Sequence, residues 1–162
     1  MRLGSVDAPP KKPPSYLCPG VPREGAIRAD CKHAFLMAVR VGIDLVSVDS
    51  VRASIQRHAT HYLERIYTER ELQDCRTPAG VDPERLAARF AAKEATLKVL
   101  RPTDEAVPWH AIEVLSDPSG WVELQLSGPA AALAATSGLT DFSVSLTHEG
   151  GFASAIVVAS YH

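Results

Sequence analysis

DPERLAARFAAKEATLKVL, from Asp82 to Leu100, carries the signals of one long helix, and the flanking segments can be read outward from it. Asp82 suits the N-cap, Pro83 the first helical position and Glu84 the positive end of the helix dipole, while Pro102 forbids continuation. About 19 residues at ~1.5 Å each make a rod of roughly 28 Å. Leu86, Phe90, Leu97 and Leu100 fall on one apolar stripe, with Glu94 and Lys98 together on its flank, one turn apart. Alone, such a Glu–Lys pair is an ordinary surface feature worth ~0.2–0.5 kcal/mol. Lys93 is less ordinary. It falls inside the apolar stripe, where its ammonium must either snorkel past the core or rest against an anion.

Upstream, AFLMAVRVGIDLV (residues 34–46) has the β-branched, apolar content of a strand. Asp44, set between Ile43 and Leu45, needs solvent or a cation there. The pattern then turns helical, with Asp49 or Ser50 as cap, Val51, Ile55 and Ala59 on the buried side, and Arg52, Gln56 and Arg57 facing out. THYLERIYTERELQDC continues as one or two short helices, broken near Tyr67 because Thr68 and Glu71 form a capping-box signature. Arg52, Arg57, Arg65 and Arg70 make this region locally positive, either as ordinary exposed arginines or as a docking face for an acidic protein. His58 and His61 have chelating spacing, but no third ligand stands nearby in sequence, which argues against zinc.

Downstream of the long helix, WHAIEVLSD and GWVELQLSG read as two strands around the turn Asp117-Pro118-Ser119-Gly120. PAAALAATS (129–137) is a short Ala-rich helix that stops at Gly138. FSVSLTH and FASAIVVAS are two further strands joined through Glu149-Gly150-Gly151. Helices and strands mix without a βαβα rhythm. The expected class is therefore α+β, a mostly antiparallel sheet packed against one long helix and several short ones.

The N-terminal residues read differently. Six of the chain's twelve prolines lie within residues 1–25, and residues 1–36 are expected to form a disordered, Pro-rich arm ahead of a domain spanning 37–162. Met37, opening MAVRVGIDLVSV, is an alternative initiator. With 162 residues, 46% hydrophobic and 22% charged, the chain can bury a core without disulfides or metals. A net charge of -2 gives no support for nucleic-acid binding. Neither a signal peptide nor a run long enough to span a membrane is visible, and Cys18, Cys31 and Cys75 lack CxxC spacing, which fits a reducing, cytoplasmic setting.

Asp44 at one strand end, Glu94 with Lys93 and Lys98 on the helix, and Ser145-Leu146-Thr147-His148 at another strand end make a chemical set. Two carboxylates without a soft ligand suit a hard cation such as Mg²⁺, and lysines, a histidine and hydroxyls suit the phosphate oxygens of a diphosphate.

VGIDLVSVDSV (41–51), ARFAAKEATLKVL (88–100) and VSLTHEGGFASAIVV (144–158) resemble, in that order and spacing, the three signature blocks of holo-acyl-carrier-protein synthases, the small branch of the 4′-phosphopantetheinyl transferases. The resemblance implies transfer of the phosphopantetheine arm of coenzyme A to a serine of an apo acyl carrier protein, releasing adenosine 3′,5′-bisphosphate. It assigns Asp44 and Glu94 to magnesium and Lys98 to the coenzyme A phosphates. Lys93, His148, Ser145 and Thr147 fall near the cofactor, and Arg57 on the carrier-docking helix. A homotrimer with sites between subunits is implied as well. Glu94, Lys98 and His148 are the catalytic candidates, and the serine proton goes to Glu94 or to a metal-bound water. Two departures stand out. Arg101-Pro102-Thr103 replaces a Gly-rich turn, leaving Arg101 as a phosphate contact, and Ser50 replaces an arginine for which Arg52 substitutes. The competing readings are a silent module that binds coenzyme A or carrier proteins, and a Mg²⁺-dependent phosphate-ester hydrolase.

Overall fold

The computed structural model of the chain describes residues 38–103 and 106–161, so the expectations for the arm and for Met37 lie outside the described residues. β1 (Val39–Ser47) enters α1 (Val48–Ile66) directly. The cap is Ser47 rather than Asp49 or Ser50: its side chain accepts the Ser50 N–H, while the Asp49 carboxylate pairs with Arg52. α1 breaks at Ala59, whose φ of 42° is left-handed, so Ala59 is exposed at a kink instead of marking the buried side. α2 (Glu69–Asp74) starts on the expected capping box of Thr68 and Glu71. The turn-rich connection after it closes as a minimal ladder of β2 (Arg76–Thr77) with β3 (Gly80–Val81).

α3 (Pro83–Leu100) is the quoted helix, capped by Asp82 and ended by Arg101 in the left-handed conformation. It lies across a three-stranded antiparallel sheet of order β1-β7-β6, in which β6 (Leu139–Glu149) and β7 (Phe152–Tyr161) form the closing hairpin. Its buried face is much wider than the Leu–Phe stripe, for Ala87, Ala88, Ala91, Ala92 and Ala95 are buried along with Leu86, Val99 and Leu100. Phe90 and Leu97 are only half-buried, and Phe90 packs on Trp109 with ring centroids 5.3 Å apart. Small side chains allow close approach, and β7 answers with Ala153, Ala155, Val157 and Ala159 on its inner face, all buried.

β4 (Ile112–Ser116) and β5 (Val122–Leu126) form the expected hairpin, whose turn is held by the Asp117 carboxylate accepting N–H groups from Ser119 at 2.8 Å and Trp121 at 3.0 Å. α4 (Gly128–Thr136) follows. The α+β class with antiparallel pairing is borne out. One core forms where the second half of α3 meets β4, α4, β6 and β7, and another where its first half meets α1 and α2.

Period-2 alternation gives the sheet two unlike faces. Arg40, Gly42, Asp44 and Val46 of β1 turn toward α3, whereas Val39, Val41, Ile43 and Leu45 are exposed on the far side. Phe152 and Ile156 of β7 are exposed with them.

Candidate active site

The site is built where β1 crosses the second half of α3. Gly42 has no side chain because none fits: a Cβ there would stand 2.0 Å from the Ala95 carbonyl oxygen. Two residues further on, Asp44 reaches the helix, and Lys98 donates to its Oδ1 at 2.8 Å and to the Ile43 carbonyl at 2.6 Å. Glu94, one turn before Lys98, completes the group. Burial, then the negative charge of Asp44, push the Glu94 carboxyl above the ordinary carboxylate range, against the opposing pull of the Lys98 ammonium. Two carboxylates held close together with no soft ligand beside them form an arrangement that a hard divalent cation relieves. The expected convergence of Asp44, Glu94 and Lys98 is therefore present in one copy of the chain.

His148 does not join them. It lies two strands away on β6 and its Nε2 stands 3.7 Å from Glu84, in the first turn of α3, whereas Lys98 is in the last turn. Fourteen residues of helix separate the two, about 20 Å along the axis, so within one copy they cannot act on one phosphate. Between His148 and the hairpin runs a cleft of about 440 Å³ bounded by Glu84, Arg85, Ala88, Arg89 and Thr147. Asp44 and Glu94 are not among its walls. Sequence reasoning missed Arg89. It is nearly buried, donating to Asp74 Oδ2 at 3.2 Å, Ser116 Oγ at 3.0 Å and the Val114 carbonyl at 3.1 Å, and it forms part of the cleft floor. The signal was available, since Arg89 stands one turn before Lys93 on the same buried side.

Lys93 requires a correction. Expected at the cofactor, it is completely buried, and its ammonium meets Glu71 Oε2 at 2.8 Å, the Trp109 carbonyl at 2.9 Å and the Ile112 carbonyl. An ammonium has three donors, and all three are used inside the protein. Of the two alternatives open to it, Lys93 rests against an anion. Ser145 stands apart from Asp44 within one copy. It alternates with Leu146 and His148, pairs across to Ile156 and so lies on the far face of the sheet from Asp44. Thr147 shares that alternation but contributes to the cleft wall.

Among the arginines expected on a docking face, Arg52 pairs with Asp49 and Arg70 with Glu113 at 2.8 Å. Arg57 and Arg65 are exposed without an ion pair among the described residues. Arg101 is exposed just beyond Lys98. Cys75 is buried and free, its thiol pushed up to about 11 by burial. Among the described residues there is no helix long and apolar enough to cross a membrane, and no group of three or more His, Cys, Asp and Glu residues placed to hold a metal ion.

The chain that folds this way is similar to known proteins along most of its length. The family described as 4′-phosphopantetheinyl transferase superfamily matches residues 40–157, and the chain belongs to it. Holo-acyl-carrier-protein synthase of Salinispora arenicola is 42% identical over 123 residues, which are 76% of this chain and 98% of that protein. The synthase of Desulforudis audaxviator is 39% identical over 123 residues, covering 76% and 93% respectively. Among solved structures, the Chronobacterium ammoniagenes ACPS-CoA complex superposes with a TM-score of 0.68 at 34% identity, covering 77% of this chain and 98% of that one.

Proposed function

We propose that this chain is a holo-acyl-carrier-protein synthase, transferring the 4′-phosphopantetheine arm of coenzyme A to a serine of an apo acyl carrier protein. The observation that carries the reading is the Asp44–Glu94–Lys98 group, in a chain that spans nearly the whole length of synthase relatives. In the reaction the serine oxygen forms a new P–O bond to the phosphorus on the pantetheine side of the diphosphate. The P–O bond to the bridging oxygen breaks, and adenosine 3′,5′-bisphosphate leaves with the electron pair. Asp44 and Glu94 would hold Mg²⁺, which supplies charge neutralisation for the diphosphate when bound. Lys98 sits in contact with Asp44 and half exposed, placed to shift its ammonium onto a phosphate oxygen. Glu94 is the half-buried carboxylate at the same place and accepts the serine proton. His148, Thr147 and Arg89 bound a separate cleft, which suits a different part of an extended donor. Arg101 supplies a further phosphate contact and Arg57 the carrier-docking charge.

A homotrimer belongs to the same proposal. Val39, Val41, Ile43, Leu45, Phe152 and Ile156 make an exposed apolar sheet face, a surface that another copy of the chain would cover. Ser145 lies on that face, so assembly is what would bring it to a site. A cytoplasmic setting and a single domain beyond residue 36 complete the reading.

The test is to incubate the protein with coenzyme A, Mg²⁺ and an apo carrier and weigh the carrier. Gain of the phosphopantetheine mass is expected. Binding without gain would indicate a silent module, and product release without any carrier would indicate a hydrolase. With the active protein, Arg57→Glu is expected to raise the KM for the carrier several-fold and to leave the KM for coenzyme A unchanged, checked by steady-state kinetics at two salt concentrations.

A further inference from the structure

We infer that Gly42 is a positioning residue whose missing side chain sets the distance between the two carboxylates of the metal site. The inference rests on the proposed magnesium role of Asp44 and Glu94 and adds what holds them at a working separation.

β1 is held against α3 along the length that matters. Arg40 donates to the Val99 carbonyl at 3.2 Å, and Lys98 donates back to the Ile43 carbonyl at 2.6 Å. Between these two clasps Gly42 is buried against the helix backbone itself. A Cβ on Gly42 would stand 2.0 Å from the Ala95 carbonyl oxygen, 2.9 Å from its carbon and 3.1 Å from Val99 Cγ2. The first two contacts are with the backbone of a helix, which cannot rotate away as a side chain would. Any side chain at position 42 therefore lifts the strand off the helix by an ångström or so, the difference between that contact and an ordinary one of roughly 3.5 Å.

Ala95 adjoins Glu94, and Gly42 is two residues from Asp44 on the same face of β1. The lift is thus applied almost at the carboxylates. A hard divalent cation binds oxygen within a few tenths of an ångström of its preferred distance, and a displaced ligand is a lost ligand. The glycine is not required for its backbone freedom, since its place in a regular strand demands none; it is required for the space.

The experiment uses Mn²⁺ as an oxygen-seeking probe, binding followed by electron paramagnetic resonance on the full chain without coenzyme A. Gly42→Ala is expected to weaken Mn²⁺ binding on the order of tenfold. In Gly42→Ala/Asp44→Glu the longer side chain spans the gap and recovers part of that loss. In the otherwise natural chain, Asp44→Glu alone is expected to weaken binding, because the spacing is set for an aspartate. A core variant away from the site, Val114→Ala, serves as a control and should bind Mn²⁺ normally despite its lower melting temperature. The inference is overturned if folded Gly42→Ala binds as the natural chain does, or if Val114→Ala weakens binding equally. Should Gly42→Ala fail to fold, normal binding by Asp44→Glu overturns it on its own. If the natural chain binds no Mn²⁺, the magnesium reading falls and takes this inference with it; if it binds and the variants match it, only the spacing claim falls.

Discussion

Arg101 occupies a backbone conformation, φ 53° and ψ 57°, that glycine adopts without strain and other residues adopt at a cost of roughly 1 kcal/mol. It ends α3 by donating its N–H to the Leu97 carbonyl at 2.8 Å, which glycine would do equally well, so its guanidinium is the feature that stability does not explain. Arg101→Gly should raise the melting temperature by about 1–4 °C and at the same time raise the KM for coenzyme A. A melting curve and a coenzyme A titration check both halves, and an unchanged KM would reduce Arg101 to a strained cap. Glu94 makes the opposite trade. Its carboxyl binds a proton more tightly in the folded chain than in the unfolded one, so the metal-free protein loses stability as pH rises through and above the ordinary carboxylate range. Glu94→Gln should therefore melt higher than the natural chain at about pH 7 and no higher at about pH 4, near and below the carboxylate range. Added Mg²⁺ should stabilise the natural chain and not the variant, and turnover should collapse in the variant.

At the scale of elements, α2, α3 and β4 are tied by one buried carboxylate. Glu71 accepts the Thr68 N–H at 2.8 Å as part of its capping box, the Val114 N–H at 3.0 Å and the Lys93 ammonium at 2.8 Å. Burial drives the Lys93 ammonium down from its ordinary value and Glu71 holds it up, so the charge of Lys93 depends on its partner. Lys93→Met should cost about 3–5 kcal/mol by stranding Glu71, and Lys93→Met/Glu71→Gln should recover part of it, because the amide leaves no unpaired buried charge and its one oxygen still serves one of the two backbone N–H groups, Thr68 on Oε2 or Val114 on Oε1. Urea denaturation of the three proteins tests this, and a double variant no better than the single would refute the account. The same elements mark what was legible in the sequence. Lys93 was visible as an anomaly because a cation at a core position violates helical patterning, but its partner lies 22 residues earlier, in a segment that gave only a capping signal. Arg89 escaped because a narrow apolar stripe was assumed, whereas five alanines let α3 be buried on a much wider face. Ser145 and His148 were grouped as neighbours in sequence, although strand alternation sends them to opposite faces. The caps of α2 and α3, the Asp117–Gly120 turn and the Asp44–Glu94–Lys98 convergence were readable because each depends on local chemistry or on motif spacing, whereas the cap of α1 fell on Ser47, earlier than expected.

At the scale of the whole molecule, the sheet face away from α3 remains to be explained. Ile43 and Leu45 are 62% and 64% exposed on the very strand that carries Gly42 and Asp44 on its other side. One strand thus has a site face and an apolar face, and the register between them is fixed, since any slip by one residue would exchange the two. If copies of the chain pack on this face, assembly and the metal site share an element, and disturbing the first must show in the second. Leu45→Asp puts a charge where the proposed interface would desolvate it, while leaving the α3 contacts of β1 untouched. The expected outcome is a shift from trimer to monomer in analytical ultracentrifugation, with the circular dichroism spectrum preserved and activity lost. Mn²⁺ binding separates the two ways activity could fail. Because Asp44, Glu94 and Lys98 come from one copy, the monomer should still bind the ion, whereas groups such as Ser145 that face the apolar side would be lost to the site with the partner. A Leu45→Asp variant that stays trimeric, or a monomer with full activity, would show that this face serves something other than self-association.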